Sequence, residues 1–310
     1  MKYSIKICTS WLFFSFFLVA CSSKPIKVAN EVSYGRDRIR KEANLSVYKT
    51  SGLCNGLLRV QDVKLAPGFC LGVVDTGEGL IKPRFALQLD ATHLLLVDMG
   101  GWAANKGQLH LLTFSNNRWN RTPLLNSTQL PENKKCILDR PHQLVRGPEG
   151  EIYITSVQCI ATLRPLDKNI VDSIQVKISG LPTEGLHPLK SIVFDGGGNI
   201  YMNVGSISDN CELETSDVCK ELESRAQIRK YIRLADGSYE PRYNLFAKGQ
   251  RNSMGLYWDE VNQNLWTAEN SRDYIERKIR NSTDKKNPQT NLILFLKMPN
   301  WIGLTATMQV

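Results

Sequence analysis

His187-Pro188-Leu189-Lys190-Ser191-Ile192-Val193-Phe194, then Asp195-Gly196-Gly197, then Gly198-Asn199-Ile200-Tyr201-Met202-Asn203-Val204-Gly205, sets out a grammar that recurs along the 310-residue chain. A basic or histidine-bearing turn leads into an apolar strand, an Asp/Gly/Pro/Asn turn reverses it, and a second strand returns. Three other stretches share it: Pro83-Arg84-Phe85-Ala86-Leu87-Gln88-Leu89 with Leu94-Leu95-Leu96-Val97-Asp98-Met99-Gly100; Arg140-Pro141-His142-Gln143-Leu144-Val145 with Gly150-Glu151-Ile152-Tyr153-Ile154-Thr155; and Arg251-Asn252-Ser253-Met254-Gly255-Leu256-Tyr257-Trp258 with Asn264-Leu265-Trp266-Thr267-Ala268-Glu269-Asn270. With Pro83, Pro141, Pro188 and Asn252 as equivalent markers, the spacings are 58, 47 and 64 residues. Helical periodicity is weak throughout. Irregular repeats of roughly 40–60 residues built from paired strands are the sequence form of β-propeller blades, with an all-β sandwich as the alternative.

In a propeller the innermost strand of each blade lines a central channel, and the turns leading into it open on one face. Polar residues at the same place in successive repeats therefore converge, although they lie far apart in sequence. Those places carry Arg84, His142, His187 and the pair Arg251-Asn252. Each alone is an ordinary turn or capping residue; their recurrence at one position of the repeat is what points to a shared pocket.

Composition excludes several classes. Hydrophobic residues make up 42% and charged residues 22%, which is too apolar for a disordered chain. Lys+Arg 39 against Asp+Glu 30 gives a formal net charge of +9. The basic residues are scattered rather than interleaved with aromatics, so no nucleic-acid partner is expected. An anionic small ligand or an acidic envelope surface accounts for the excess.

Residues 1–20 read as an export signal. Lys2 and Lys6 precede the apolar stretch 7–20, which is shorter than the roughly 20 residues a spanning helix needs. It ends in Leu18-Val19-Ala20-Cys21, which resembles a bacterial lipobox with Cys21 as the lipidated residue. Ser22-Ser23-Lys24-Pro25 opens a solvated tether over 21–50, and Ser after the cysteine implies the outer membrane, facing the periplasm. Of eight cysteines, Cys8 leaves with the signal and Cys21 carries lipid. The remaining six, Cys54, Cys70, Cys136, Cys159, Cys211 and Cys219, are an even set in an oxidising compartment and point to disulfides. They allow 15 pairings, among which neighbour pairing closes the shortest loops. No CxxC pair or Cys/His cluster suggests zinc.

The ordered motifs resemble the soluble quinoprotein glucose/sorbosone dehydrogenases over roughly 65–275. They run from His187-x4-Ile192-Val193-Phe194-Asp195-x-Gly197 through Ile200-Tyr201-x-x-Val204-Gly205 and Arg225-Ala226. Phe246-Ala247-x-Gly249-x-Arg251-Asn252-x-x-Gly255-Leu256-x-Trp258 and Leu265-Trp266-x-x-Glu269-Asn270-x-Arg272-Asp273 follow, and Asp98-Met99-Gly100-Gly101-Trp102 looks like the end of an early blade. The resemblance implies a six-bladed propeller that binds pyrroloquinoline quinone (PQQ) and Ca²⁺ and oxidises a sugar, an aldose or a sorbosone-like aldehyde. It implies His187 as the general base, Arg251 and Asn252 as cofactor contacts, and backbone carbonyls of Ser271 and Arg272 as the nearest metal ligands. The family's Gly-Pro after the strand at 265–270 is absent here. Asp195 and Asp273 read as turn residues.

The resemblance places the propeller over 51–280, with about four blades recognisable and the closing blades missing or degenerate, as in a truncated reading. Residues 281–310, with Asn291-Leu292-Ile293-Leu294-Phe295-Leu296-Lys297 and Trp301-Ile302-Gly303, do not keep the grammar and read as a divergent tail. Two other functions remain open at this level: a Ca²⁺-dependent lactonase-like hydrolase and a non-catalytic propeller lipoprotein.

Overall fold

Asp195 Oδ1 accepts from the backbone N–H groups of Gly197 (3.1 Å) and Asn199 (2.9 Å), while Gly198 takes φ +76°, so the stretch around His187 reverses in a tight turn. The same device closes the equivalent stretches. Asp90 Oδ1 caps Thr92 N, Asp259 Oδ1 caps Val261 and Asn262 N, and Gly150 turns with φ +84°. In the computed structural model, residues 50–61, 63–209, 211 and 219–270 are described, with 291–296 as backbone. The signal segment 1–20, Cys21, the tether up to residue 49, Ser271, Arg272 and Asp273 lie outside the described residues.

Five antiparallel sheets follow one another along the chain, each with its strands in sequence order. The first holds β1 (Thr50–Cys54), β2 (Leu57–Val60) and β3 (Gly72–Val73). The second holds β4 (Pro83–Gln88), β5 (His93–Asp98), β6 (Gln108–Ser115) and β7 (Arg118–Asn126). The third holds β8 (Gln143–Arg146), β9 (Ile152–Thr155), β10 (Ile160–Leu163) and β11 (Gln175–Ile178). The fourth holds β12 (Ile192–Phe194), β13 (Ile200–Val204), β14 (Gln227–Tyr231) and β15 (Asn244–Lys248). The fifth holds β16 (Gly255–Asp259), β17 (Asn264–Glu269) and β18 (Asn291–Leu296). The four repeats are thus the opening hairpins of sheets two to five.

Two features depart from the sequence reading. A sheet at 50–73 precedes the four expected blades; its strands are short and largely exposed, so no alternation marks it. Asn291–Leu296, within the stretch read as a divergent tail, pairs with β17 from Asn264↔Leu296 to Glu269↔Asn291. A continuous apolar run without a flanking turn signal hides that pairing, because its partner lies across a long connection.

Opening strands of successive sheets adjoin: β4 beside β8, β8 beside β12, β12 beside β16. Side chains stitch them. Gln143 accepts from Ile192 N (2.8 Å) and donates to Ile192 O (3.3 Å), and Arg146 Nη2 donates to Gln88 O (2.8 Å) and Leu89 O (2.6 Å). Behind them the sheets pack face to face. Because successive strand residues point to opposite faces, Ile152 and Ile154 enter the seam with sheet two, whereas Tyr153 between them enters the seam with sheet four. Likewise Ile200 and Met202 face sheet three, while Tyr201 stacks on Trp258 of sheet five, with ring centroids 5.1 Å apart. Burial on both faces explains why β9 and β13 are buried at every position. Each such side chain contributes about 1.5–3 kcal/mol on burial.

Three disulfides form between sequence neighbours: Cys54–Cys70, Cys136–Cys159 and Cys211–Cys219. Among the described residues no helix is long and apolar enough to cross a membrane.

Candidate functional site

Met99, Val157, Leu189 and Met254 pack together, the first two fully buried, although they come from sheets two, three, four and five. Each lies where the chain enters an opening strand or leaves a second one, so the repeat geometry carries these ends to one place. Leu189 stands two residues from His187, and Met254 two residues from Asn252.

His187 lies on the connection into β12, 9% exposed, with Nδ1 3.1 Å from Ser206 O and 2.9 Å from Ser206 Oγ. The Ser206 hydroxyl gives its single proton to Ser208 O at 2.6 Å. Both Ser206 oxygens therefore act as acceptors toward the ring, and Nδ1 carries the hydrogen. The neutral imidazole then has its lone pair on Nε2.

Gly205 makes this approach feasible. A Cβ there would meet His187 Cβ at 2.4 Å, His187 O at 2.6 Å and Asn252 Oδ1 at 3.3 Å. His187 and Asn252 thus flank one glycine at the end of β13. The segment Arg251-Asn252 is laced between sheets: Ser206 N donates to Arg251 O (2.8 Å), and Asn270 N donates to Asn252 O (3.0 Å). The Arg251 guanidinium is gripped by Asp209, with Nε 2.8 Å and Nη2 2.5 Å from Oδ1, and Nη1 donates to Asn270 O (3.1 Å).

A buried carboxylate braces the wall. Glu221 accepts from Ile207 N (2.7 Å), Ser208 N (3.0 Å) and Ser208 Oγ (2.8 Å), so it holds the turn that holds His187. The Cys211–Cys219 bridge lies against it. Glu269 receives the N–H of Arg251; burial pushes its carboxyl up, against the opposing pull of that N–H and the Arg251 charge. Asn252 Oδ1 is buried with no hydrogen-bond partner among the described residues. Glu269 also accepts from the Asn252 backbone N–H, and an orphaned amide oxygen is a hard donor of the kind Ca²⁺ takes.

Arg84 and His142 form a second grouping at the starts of β4 and β8. Arg84 Nε donates to His142 Nδ1 (3.2 Å), and burial together with the Arg84 charge lowers the imidazole to about 4. The ring is neutral at neutral pH and serves Arg84 as an acceptor.

The chain matches the family described as TrAA12-like over residues 63–301. It belongs to the TrAA12-like family. Among solved structures, the Trichoderma reesei Carbohydrate-Active Enzymes Family AA12 protein in its calcium structure is similar at 18% identity and TM-score 0.51, covering 72% of this chain and 54% of that one. The putative glucose dehydrogenase of Thermus thermophilus is similar at 20% identity and TM-score 0.41, covering 62% and 58%. The first of these likenesses supports the all-β, propeller-type fold of this TrAA12-like chain, which spans about half the length of that structure. No curated protein matches the chain.

Of the residues singled out in sequence, His187, Arg251 and Asn252 come together around Gly205 and Ser206, while Arg84 pairs with His142. Ser206, Asp209 and Glu221 carry no motif of their own, whereas Glu269 lies in the Leu265-Trp266-x-x-Glu269-Asn270 motif without an assigned role. For Ser206 and Asp209 the signal is position, since Gly205–Asp209 directly follows the second strand of its repeat. A cavity of about 290 Å³ lies elsewhere, at the far ends of the strands, lined among others by Glu149, Lys177, Arg233 and Asp236, and contains none of these groups.

Proposed function

We propose that this TrAA12-like chain is a sugar oxidoreductase of the quinoprotein kind, oxidising an aldose or sorbosone-like substrate with PQQ and Ca²⁺ as cofactors and His187 as general base. The observation that carries it is an imidazole whose Nδ1–H is committed to Ser206, leaving Nε2 as the basic nitrogen, next to the Arg251-Asn252 segment. The donor set fits both groups. Asn252 Oδ1 and Glu269 offer oxygen to a hard cation, and Arg251 offers a planar cation to a carboxylated quinone. Asp209 has to share Arg251 with such a ligand. Held by these residues, the quinone would supply a hydride acceptor and Ca²⁺ a Lewis acid.

The chain's own residues do the rest. Nε2 of His187 takes the hydroxyl proton of the substrate as its C–H bond breaks, and the ring becomes imidazolium. Nδ1–H stays on the Ser206 carbonyl and hydroxyl, whose dipoles favour the charged ring. Glu221 keeps both acceptors in place through Ile207 and Ser208.

By the same reading the protein is an exported bacterial lipoprotein, held at the outer membrane by a lipid on Cys21 and facing the periplasm. Three disulfides among the described residues suit that compartment. The test is an absorbance titration of the purified chain with PQQ and Ca²⁺, followed by dye reduction with a panel of aldoses. Saturable quinone binding with sugar-dependent dye reduction is expected. Absence of quinone binding by the folded chain would reject the reading in favour of a non-catalytic propeller.

A further inference from the structure

Arg225 is 5% exposed, yet its Nη1 is buried with no hydrogen-bond partner and its guanidinium joins no ion pair among the described residues. Its surroundings are cationic. Lys190 is fully buried, its Nζ donating to the carbonyl of Pro182 at 2.9 Å and to that of Pro188. Arg229, 6% exposed, donates to Gln227 Oε1 (3.2 Å) and Ser224 O (2.7 Å) and lies over the Tyr243 ring. Among the described residues the acids that face Arg225 are Glu184, which is exposed, and Glu221, which is committed to Ile207 and Ser208. Burial, reinforced by Arg225, Arg229 and Arg140, lowers the Lys190 ammonium to about 7. A lysine can shed its proton under such pressure, whereas an arginine cannot. A buried guanidinium without a counter-charge is strongly unfavourable.

We propose that Arg225 holds a small monovalent anion, a halide or a carboxylate, in the seam behind β12 and β13, with Lys190 and Arg229 supplying the surrounding positive field. The site does not depend on the sugar-oxidation reading. The anion neutralises the arginine and lets three cations share one buried region.

The experiment is thermal unfolding of the full chain in sodium chloride or sodium formate, with ionic strength held by sodium isethionate, whose anion is neither a halide nor a carboxylate. A saturable rise in midpoint with chloride or formate is expected; at roughly 100 times its dissociation constant the anion lowers the unfolding constant about 100-fold. Response to chloride identifies a halide site, and response to formate alone identifies a carboxylate site. Arg225→Met should abolish the response and lower the midpoint in the stabilising salt, while Arg225→Lys should retain part of it. A midpoint indifferent to both anions, or an Arg225→Met variant more stable than the parent in every salt, overturns the proposal. Crystals grown in bromide supply a second reading: anomalous density beside the guanidinium supports a halide, and its absence after a chloride response overturns the assignment to Arg225.

Discussion

Ser206 Oγ stands 2.9 Å from His187 Nδ1 while donating its own proton to Ser208 O, so the serine sets which ring nitrogen carries the hydrogen. The hydrogen on Nδ1 leaves the lone pair of the neutral ring on Nε2, the nitrogen that takes the substrate proton in this reading. His187→Ala should lower turnover by about 10²–10⁴-fold, with quinone affinity nearly unchanged. Ser206→Ala should cost about tenfold, the equivalent of one hydrogen bond, because the Ser206 carbonyl still accepts from Nδ1. Steady-state dye reduction at saturating quinone, alongside the binding titration, separates the two effects. Full turnover in His187→Ala would sink the assignment of the base.

Gly205 separates His187 from Asn252, and the space for a side chain is already taken, with His187 Cβ at 2.4 Å from where a Cβ would sit. The obstructing atoms include the His187 carbonyl at 2.6 Å, which is backbone and yields little. Gly205→Ala should therefore destabilise by about 1–3 kcal/mol and displace the ring from Ser206. Urea unfolding measures the first effect. The imidazole nitrogen shifts in NMR report the second, as a loss of the single Nδ1–H tautomer.

The four opening hairpins are legible in sequence because their turns use residues with a mechanism: Asp195, Asp90 and Asp259 cap backbone N–H groups, and Gly150 and Gly198 take positive φ. The convergence of His187 with Arg251-Asn252 follows from that repeat. Neighbour pairing of the cysteines is legible too, as the loop-shortening choice. The sheet at 50–73 and β18 are not, since one is largely exposed without alternation and the other pairs across a long connection. The support residues Ser206, Asp209 and Glu221 are opaque for another reason. Serine and acidic residues are common in turns, and only the fold reveals that Glu221 caps Ile207 and Ser208 or that Asp209 grips Arg251.

Gln143 links sheets three and four through both polar groups of one residue, accepting from Ile192 N at 2.8 Å and donating to Ile192 O at 3.3 Å. β12 is an opening strand, so no further strand of its own sheet covers that edge. Gln143→Met keeps side-chain volume but strands an N–H and a C=O between sheets, at about 1–3 kcal/mol for the unsatisfied pair. Gln143→Glu keeps the acceptor and should recover roughly half of the loss at neutral pH. Chemical denaturation of the three proteins checks the order. Equal stability of Gln143→Met and parent would show that water replaces the amide at no cost.

Acid should weaken the fold through His142. Its pKa is lowered to about 4 in the native state, chiefly by burial and then by the Arg84 charge, whereas an unfolded histidine titrates near 6.5. Between those values the unfolded chain binds a proton that the native chain refuses, so stability rises with pH across the window and is lost as pH falls from about 6.5 toward 4. His110, with both ring nitrogens buried and unpartnered among the described residues and its pKa also lowered by burial, acts in the same direction. His142→Asn preserves an acceptor for Arg84 Nε and cannot be protonated. The variant should therefore show a shallower loss of stability between pH 6.5 and 4 than the parent, and adding His110→Leu should make it shallower still. Urea midpoints at three pH values across the window measure it, and identical slopes in parent and His142→Asn would mean that His142 is free to protonate in the folded protein.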